Sequence, residues 1–184
     1  QVAYQNAVNQ AEQIINGTPN STINPQAVNQ ALQQVEKAKG ELNGNDNLHN
    51  AQQDATHFID GLSNLNTPQK AALKEQIAQA NLVPNVEKIK QTANDLNTAM
   101  GNLKQQLQTN QPVPQTIDYT QADTDKQQAY DNAVNQSQQI IDGNPTTVLT
   151  VNEVTQALSN LNNAKDDLNG NENLAQAKQE ATTN

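Results

Sequence analysis

Apolar residues along this chain recur at spacings of three and four with polar residues between, so the sequence reads as helices separated by short breaks. Tyr4, Ala7, Ala11 and Ile14 form a first stripe, widened by Val8 and Ile15, which predicts a helix up to about Asn16. Gly17 and Pro19 end it, the glycine as a left-handed cap and the proline because it cannot extend a helix. A second helix opens at Asn24-Pro25, an N-cap followed by a proline whose missing N–H costs nothing there. Ile23 and Val28 stand at the two positions of a hydrophobic staple, and Val28, Leu32, Val35, Ala38 and Leu42 are the expected buried stripe. Asn43-Gly44-Asn45 reads as a turn in which Gly44 ends the second helix and Asn45 caps the third. A connection this short makes neighbouring helices antiparallel.

The third helix shows Leu48, Ala51, Ala55, Phe58, Leu62 and Leu65 and is expected to run over residues 45–65, about 30 Å at the rise of an α-helix. Thr67-Pro68 starts a fourth, with Leu73, Ile77 and Ala80 on its face. Pro84 starts a fifth, in which Val86, Ile89, Ala93, Leu96, Met100, Leu103 and Leu107 keep the alternation of left-handed bundle packing. Over residues 110–120 the pattern dissolves, and Pro112 and Pro114 favour an extended, polyproline-like connector. Ile117 and Tyr119 are expected to dock from it onto a neighbouring bundle.

The start of the chain then returns. Ala3-Tyr4-Gln5-Asn6-Ala7-Val8-Asn9-Gln10 matches Ala129-Tyr130-Asp131-Asn132-Ala133-Val134-Asn135-Gln136, and Leu42-Asn43-Gly44-Asn45 matches Leu168-Asn169-Gly170-Asn171. The offset stays at 129 − 3 = 126 up to Ala181-Thr182, with about half the positions identical, as in tandem copies of one structural unit. In the second copy Gly143 and Pro145 replace the first helix stop, and Thr150 with Glu153 supplies a capping box flanked by Leu149 and Val154. Val154, Leu158, Leu161, Ala164 and Leu168 repeat the second stripe. The first copy is expected to open inside a helix and the second to close inside one, as in a segment of a longer array.

Composition narrows what such helices can do. Hydrophobic residues make up 34% of the 184, so any core must be narrow. Asn and Gln account for 57 residues, a bias that alone would suggest a low-complexity tract, but the helical period argues against one. A net charge of −9 leaves no basic stripe for phosphate, which excludes nucleic acid as a partner. There is no Arg, no Trp and no Cys, and the aromatics are Tyr4, Phe58, Tyr119 and Tyr130. Tight protein contacts concentrate on Trp, Tyr and Arg, so this surface is poorly equipped for one strong contact. Without cysteine, disulfides, thiolate metal sites and a Cys nucleophile are all impossible. No apolar run is long enough to insert in a membrane.

Candidate chemistry is sparse. His49 and His57 share the third helix without the spacing of metal ligands and read as solvated surface side chains. Asp166-Asp167 and the pair Asp123 and Asp125 are the densest carboxylates, but neighbouring acids on a helix point apart, so no acid/base role is expected. The Asn-Gly-Asn turns lack the ligand order and bidentate glutamate of a calcium loop. Asn16-Gly17-Thr18, Asn20-Ser21-Thr22 and Asn135-Gln136-Ser137 fit the glycosylation pattern, as chance allows in so Asn-rich a chain. Tyr4 and Tyr130 read as core residues with a water-facing hydroxyl rather than as stacking platforms. No catalytic, cofactor or metal residue is nominated, no enzyme is expected, and the ligand-binding residues are left unassigned.

The motifs Ala-Tyr-x-Asn-Ala-Val-Asn-Gln leading to Ile-Ile-x-Gly, the Leu-Asn-Gly-Asn turns, and Ile59-Asp60-Gly61-Leu62-Ser63-Asn64-Leu65-Asn66 before Thr67-Pro68 resemble the long helical repeats of giant staphylococcal extracellular-matrix-binding proteins. Residues 3–56 and 129–182 are similar to FIVAR modules, and about 55–108 to the three-helix GA module. The resemblance implies a bacterial cell-wall surface protein that binds host matrix, fibronectin in particular. Albumin-binding GA modules carry aromatics near the start of their second helix. Here that region reads Val83-Pro84-Asn85-Val86-Glu87-Lys88-Ile89, so the resemblance implies the fold without the albumin ligand.

The expectation is an all-α chain of three-helix bundles set end to end as an elongated rod. A FIVAR-like bundle covers 1–54 and a GA-like bundle 55–109, sharing the helix over 45–65. An extended connector follows over 110–120, and a second FIVAR-like bundle over 121–184. Small bundles gain only a few kcal/mol each, about 3–5, so lending a helix to the neighbour adds burial that neither has alone. The expected function is a spacer in a cell-wall adhesin, with neighbouring repeats as partners and weak contact per repeat to matrix. The alternative is a dedicated module binding fibronectin, albumin or another serum protein.

Overall fold

Capping side chains start four of the helices by accepting from free N–H groups of the first turn, while backbone N–H groups close most helix C-termini. The computed structural model describes residues 1–183, and all regular structure in it is helical. In chain order the elements are α1 (Val2–Ile15), α2 (Pro25–Gly40), α3 (Gly44–Asp60), α4 (Thr67–Gln79) and α5 (Val83–Thr109), followed by a 3-10 turn (Val113–Gln115). Then come α6 (Ile117–Thr120), α7 (Thr124–Asp142), α8 (Val151–Asp166) and α9 (Gly170–Thr183). The Asn24 side chain accepts from the Gln26 N–H at 2.9 Å and Pro25 opens α2, as the cap-then-proline pattern predicts. At α4 the cap is Asn66, one residue before the expected Thr67. Its side chain and that of Gln69 each accept from the other's backbone N–H.

Two boundaries differ from the sequence reading. The helix expected over 45–65 stops at Asp60, where the Gly61 N–H bonds back to the His57 and Phe58 carbonyls, and a turn then leads to the Asn66 cap. Leu62 and Leu65 are buried from that turn rather than from a helix face. Gly44, expected to end α2, is instead the first residue of α3, because α2 has already closed at Gly40. The expected extended connector is also folded. Val113–Gln115 coils into the 3-10 turn, and the Thr116 hydroxyl caps α6 by accepting from the Tyr119 N–H. Two prolines two apart suit a tight turn as well as an extended strand, since both hold φ near −65°.

The chain divides into two compact units, Gln1–His49 and the remainder from Asn50 onward. In the first, α1 packs on α2 through Ala7, Ala31 and Ala38. Alanine brings the backbones close but buries little apolar area. Of the rest of the expected stripe Val35 is half-buried, while Val28, Leu32 and Leu42 are exposed, and so is Ile23, so the expected staple with Val28 does not form. The stripe lacks cover, since two helices in contact leave a further side of each facing water.

In the second unit that cover is present. The helix that packs in both directions is α5, which contacts α4 on one side and α7 and α8 on the other. At 27 residues it is about 40 Å long, enough for two successive sets of neighbours. Val86, Ala93, Leu96, Met100 and Leu103 are all buried along it. The third helix of the second-copy bundle is therefore the end of α5, not α9, so α5 is a shared helix that the sequence reading did not name. The helix expected to be shared, now α3, itself crosses from the first compact unit into the second. Val113, Tyr130, Ala133, Leu161 and Leu168 form one core cluster, with Leu107, Tyr119 and Val134 packed against it.

Leu161→Ala, at a side chain with 0% exposure, is expected to cost about 2–5 kcal/mol. Leu32→Ala, at 55% exposure on the homologous helix, is expected to cost less than about 1 kcal/mol. Urea unfolding of the two variants measures the difference.

Candidate functional site

The places where this chain concentrates specific contacts are its joints. At the first, the turn between α3 and α4 meets the end of α7. Ile140 and Ile141 are among the last residues of α7, where carbonyls run short of helical partners; the Ile140 carbonyl accepts from the Gly143 N–H only at 3.3 Å. The Asn66 side-chain amide donates to both at 3.1 Å while its oxygen caps α4. Beside it Gln69, fully buried, donates to the Val148 carbonyl at 2.8 Å. Gly143 lets α7 end there: its φ is +69°, and a Cβ on it would stand 2.9 Å from the Asn66 amide nitrogen. One asparagine thus closes two helices at once, and Gln69 ties the following loop to the same spot.

The same turn is fastened to α5. The Asn64 N–H donates to the Asn97 side chain at 2.9 Å, and the Lys104 ammonium donates to the Asn64 carbonyl at 2.7 Å. On the other flank the Gln52 amide reaches the Ile77 and Ala80 carbonyls at the end of α4. Lys74 lies 2.6 Å from the Asp60 carboxylate, which is held below its ordinary value by that bond. These contacts are polar and geometrically specific, where the aliphatic seam alone would allow sliding.

The second joint is the cap built by the 3-10 turn and α6 over the start of α9. Asp118 accepts from the Asn171 N–H, and the Asn173 amide donates to the Gln121 carbonyl. Asp123 receives the Asn169 and Asn173 amides at 2.8 and 3.0 Å, and these two bonds hold its carboxyl below the ordinary 3.8. Gly170 is required here, because a Cβ would lie 2.2 Å from the Ile117 carbonyl oxygen. Tyr119 docks as expected: its ring meets the buried Tyr130 ring edge-on at 5.8 Å, and its hydroxyl donates to Asp131, which pushes the phenol up. Ile117 stays exposed.

The sequence-nominated groups do not converge. Among the described residues no three His, Cys, Asp or Glu side chains come together as metal ligands. Tyr130 lies in the core as expected, and its hydroxyl donates to the Asn110 carbonyl at 3.3 Å instead of facing water. Beside it an open cavity of about 500 Å3 lies between the end of α5 and α7, lined by Lys104, Leu107, Asn110, Asp131 and Gln138 among others. Asn110, 2% exposed, carries a side-chain nitrogen without a protein partner. No helix among the described residues is long and apolar enough to cross a membrane.

A helical chain that carries one unit in two tandem copies and ties its helices by capping contacts is a repeat protein. The FIVAR domain family matches residues 1–43 and 99–169, and the GA module matches residues 45–99. The chain belongs to the FIVAR domain family, with a GA module set between the two FIVAR stretches. The boundary between the GA and second FIVAR matches falls at Ala99, inside α5.

The chain is 62% identical over its whole length to "Extracellular matrix-binding protein EbhA" of Staphylococcus aureus strain Newman, and equally so to "Extracellular matrix-binding protein ebh" of strain NCTC 8325 / PS 47. It spans only 5% and 2% of those proteins. Its fold matches a crystal structure of an EbhA domain from Staphylococcus aureus with a TM-score of 0.88 at 34% identity, covering 99% of this chain and 74% of that one. A second solved structure, described as characterising Embp-mediated adherence of Staphylococcus epidermidis to fibronectin, matches with a TM-score of 0.63 at 28% identity. It covers 67% of this chain and 98% of that one.

Asn66→Ala removes one N-cap and two C-cap bonds together and is expected to cost about 2 kcal/mol, against about 1 kcal/mol for Asn24→Ala, which removes an N-cap alone. Urea unfolding compares the two.

The Asp123 joint is expected to respond to acid. Because its folded-state carboxyl is lowered, the stability it contributes is fully present above 3.8 and is lost as pH falls through the lowered folded value. Carboxyl NMR titration should place the Asp123 midpoint below 3.8, with the Asn169 and Asn173 side-chain amide signals moving at the same midpoint.

Proposed function

We propose that this repeat is a spacer, a length unit in the stalk of a bacterial surface adhesin, with at most weak contact per repeat to host matrix. The observation that carries the reading is α5, a single helix that leaves the GA module and becomes the third helix of the next FIVAR bundle. A module boundary inside a helix resists bending where a flexible linker would not. The polar joints at Asn66, Gln69 and Asn64 support the same reading, because they fix the angle at which helices meet. A chain without Arg or Trp has few side chains suited to one tight contact. The relatives are matrix-binding proteins by name, which supports a surface location and a matrix partner for this chain.

A dedicated binding module is the second reading, favoured by the fibronectin-adherence structure, nearly all of which this chain covers. Many weak contacts along an array would give avidity without any strong single site, so the readings differ in the affinity of one copy. Small-angle scattering on one, two and three repeats is expected to show the maximum dimension growing in proportion to repeat number. Growth nearer the square root would indicate freely jointed modules and sink the spacer reading. Titration of this chain with fibronectin is expected to show binding weaker than about 1 μM. Tighter binding would favour the module.

A further inference from the structure

Three of the seven glycines follow asparagine, at Asn16-Gly17, Asn43-Gly44 and Asn169-Gly170. That dipeptide carries its own chemistry. Glycine has no Cβ to shield its amide nitrogen, so the nitrogen can reach the carboxamide carbon of the asparagine before it. Asn169-Gly170 is built into the second joint. The Asn169 Oδ1 accepts from the Asp123 N–H at 3.0 Å, and its Nδ2 donates to the Asp123 carboxylate at 2.8 Å and, over a longer 3.5 Å, to the Asn173 side chain. Asp123 thus holds both ends of the carboxamide. The Asn169 carbonyl is engaged as well, by the Asn173 N–H at 3.0 Å.

Gly170 is buried, with the Ile117 and Asp118 carbonyls passing over it. For its nitrogen to reach Asn169 Cγ, the carboxamide must leave both bonds to Asp123. The Gly170 N–H must also give up its proton between the Asp118 and Asp123 carboxylates, where a negative charge is unfavourable. Both requirements oppose the reaction while the joint is closed.

We propose that Asn169-Gly170 is a deamidation site held in check by this joint, and that reaction after opening prevents the joint from closing again. In the opened chain the Gly170 nitrogen, its proton taken by solvent base, attacks Asn169 Cγ. A Cγ–N bond forms, the Cγ–Nδ2 bond breaks, and ammonia leaves with a proton from water, giving a cyclic succinimide. Water then adds to either ring carbonyl and opens the ring to aspartate or isoaspartate. Asparagine and water are consumed, an acid and ammonia are produced, and no oxidant or cofactor takes part.

Neither product fits the closed joint. Aspartate at 169 sets a carboxylate oxygen where the Nδ2 donor stood, 2.8 Å from the Asp123 carboxylate, and the two repel. Isoaspartate adds a methylene to the backbone just ahead of Gly170, where even a Cβ would stand 2.2 Å from the Ile117 carbonyl oxygen. The joint is therefore a one-way record of having been opened. This inference stands whether the array serves as a spacer or as a binding module.

The test incubates the chain at neutral pH and maps its tryptic peptides by mass. Asn169 falls between Lys165 and Lys178, apart from Asn16 and Asn43, and fragment spectra locate the change and separate aspartate from isoaspartate. In the native chain Asn169 is expected to react at least about tenfold more slowly than in the same chain unfolded in guanidinium chloride. Asp123→Ala, at an exposed side chain, is expected to raise the native rate about fivefold or more while amide exchange in α7 and α8 stays unchanged. Asp123→Asn, which keeps an acceptor of the same shape, is expected to restore part of the protection, as a general loss of folding would not. Asn169→Asp reproduces one product and is expected to speed amide exchange in α6 and at the start of α9 about tenfold. Equal rates in the folded and unfolded chains, no acceleration in Asp123→Ala, or unchanged exchange in Asn169→Asp would each overturn the proposal.

Discussion

Two helices that meet through alanine cannot shield the larger aliphatic residues beside the contact, and the organisation of this chain follows from that. Ala7, Ala31 and Ala38 bring α1 and α2 together, and Val28, Leu32 and Leu42 remain in water next to them. In the second copy, Ala133 and Ala157 take the places of Ala7 and Ala31, and there α5 lies across the pair and buries Val154, Leu161 and Leu168. With hydrophobic residues at 34%, each pair of helices has little apolar area of its own to bury. A helix long enough to serve two modules is the economical solution, and α5 is that helix.

Sharing a helix creates a problem of direction that apolar packing does not solve, because an aliphatic seam tolerates sliding and rotation. The polar joints meet it. Asn66 cannot satisfy the N-terminus of α4 and the C-terminus of α7 simultaneously in more than a narrow range of angles, and Gln69 narrows it further by holding the Val148 carbonyl from a fully buried position. The richness in Asn and Gln has a use here beyond solubility. Amides donate and accept at once, so one side chain can bridge two helix ends whose needs are opposite.

Much of the architecture could be read from the residues. Helix existence and class followed from the three-four period, the tandem copies from the 126-residue offset, and the caps from Asn24-Pro25 and Thr150. Periodicity identifies a helical face but not its partner, which is why the sharing of α5 between two sets of neighbours was not anticipated. The seven apolar positions from Val86 to Leu107 carried the information, since a stripe of that length is longer than one small bundle can use. The fold of residues 113–120 was hidden because Pro112 and Pro114 fit an extended chain and a 3-10 turn equally well. The joints were illegible for a different reason: Asn66 reads locally as an N-cap, and its second pair of partners lies 74 and 75 residues away.

Gly170 and Gly44 show how a position can look identical in sequence and differ in what it does. At Gly170 the absence of a Cβ is required by the Ile117 and Asp118 carbonyls, while at Gly44 the same absence meets only open space. Glycine at the first turn of a helix is disfavoured unless backbone must approach closely, and of these two positions only Gly170 meets that condition. Identity at a position therefore fixes what approach the backbone allows, and the fold around it decides whether that allowance is used.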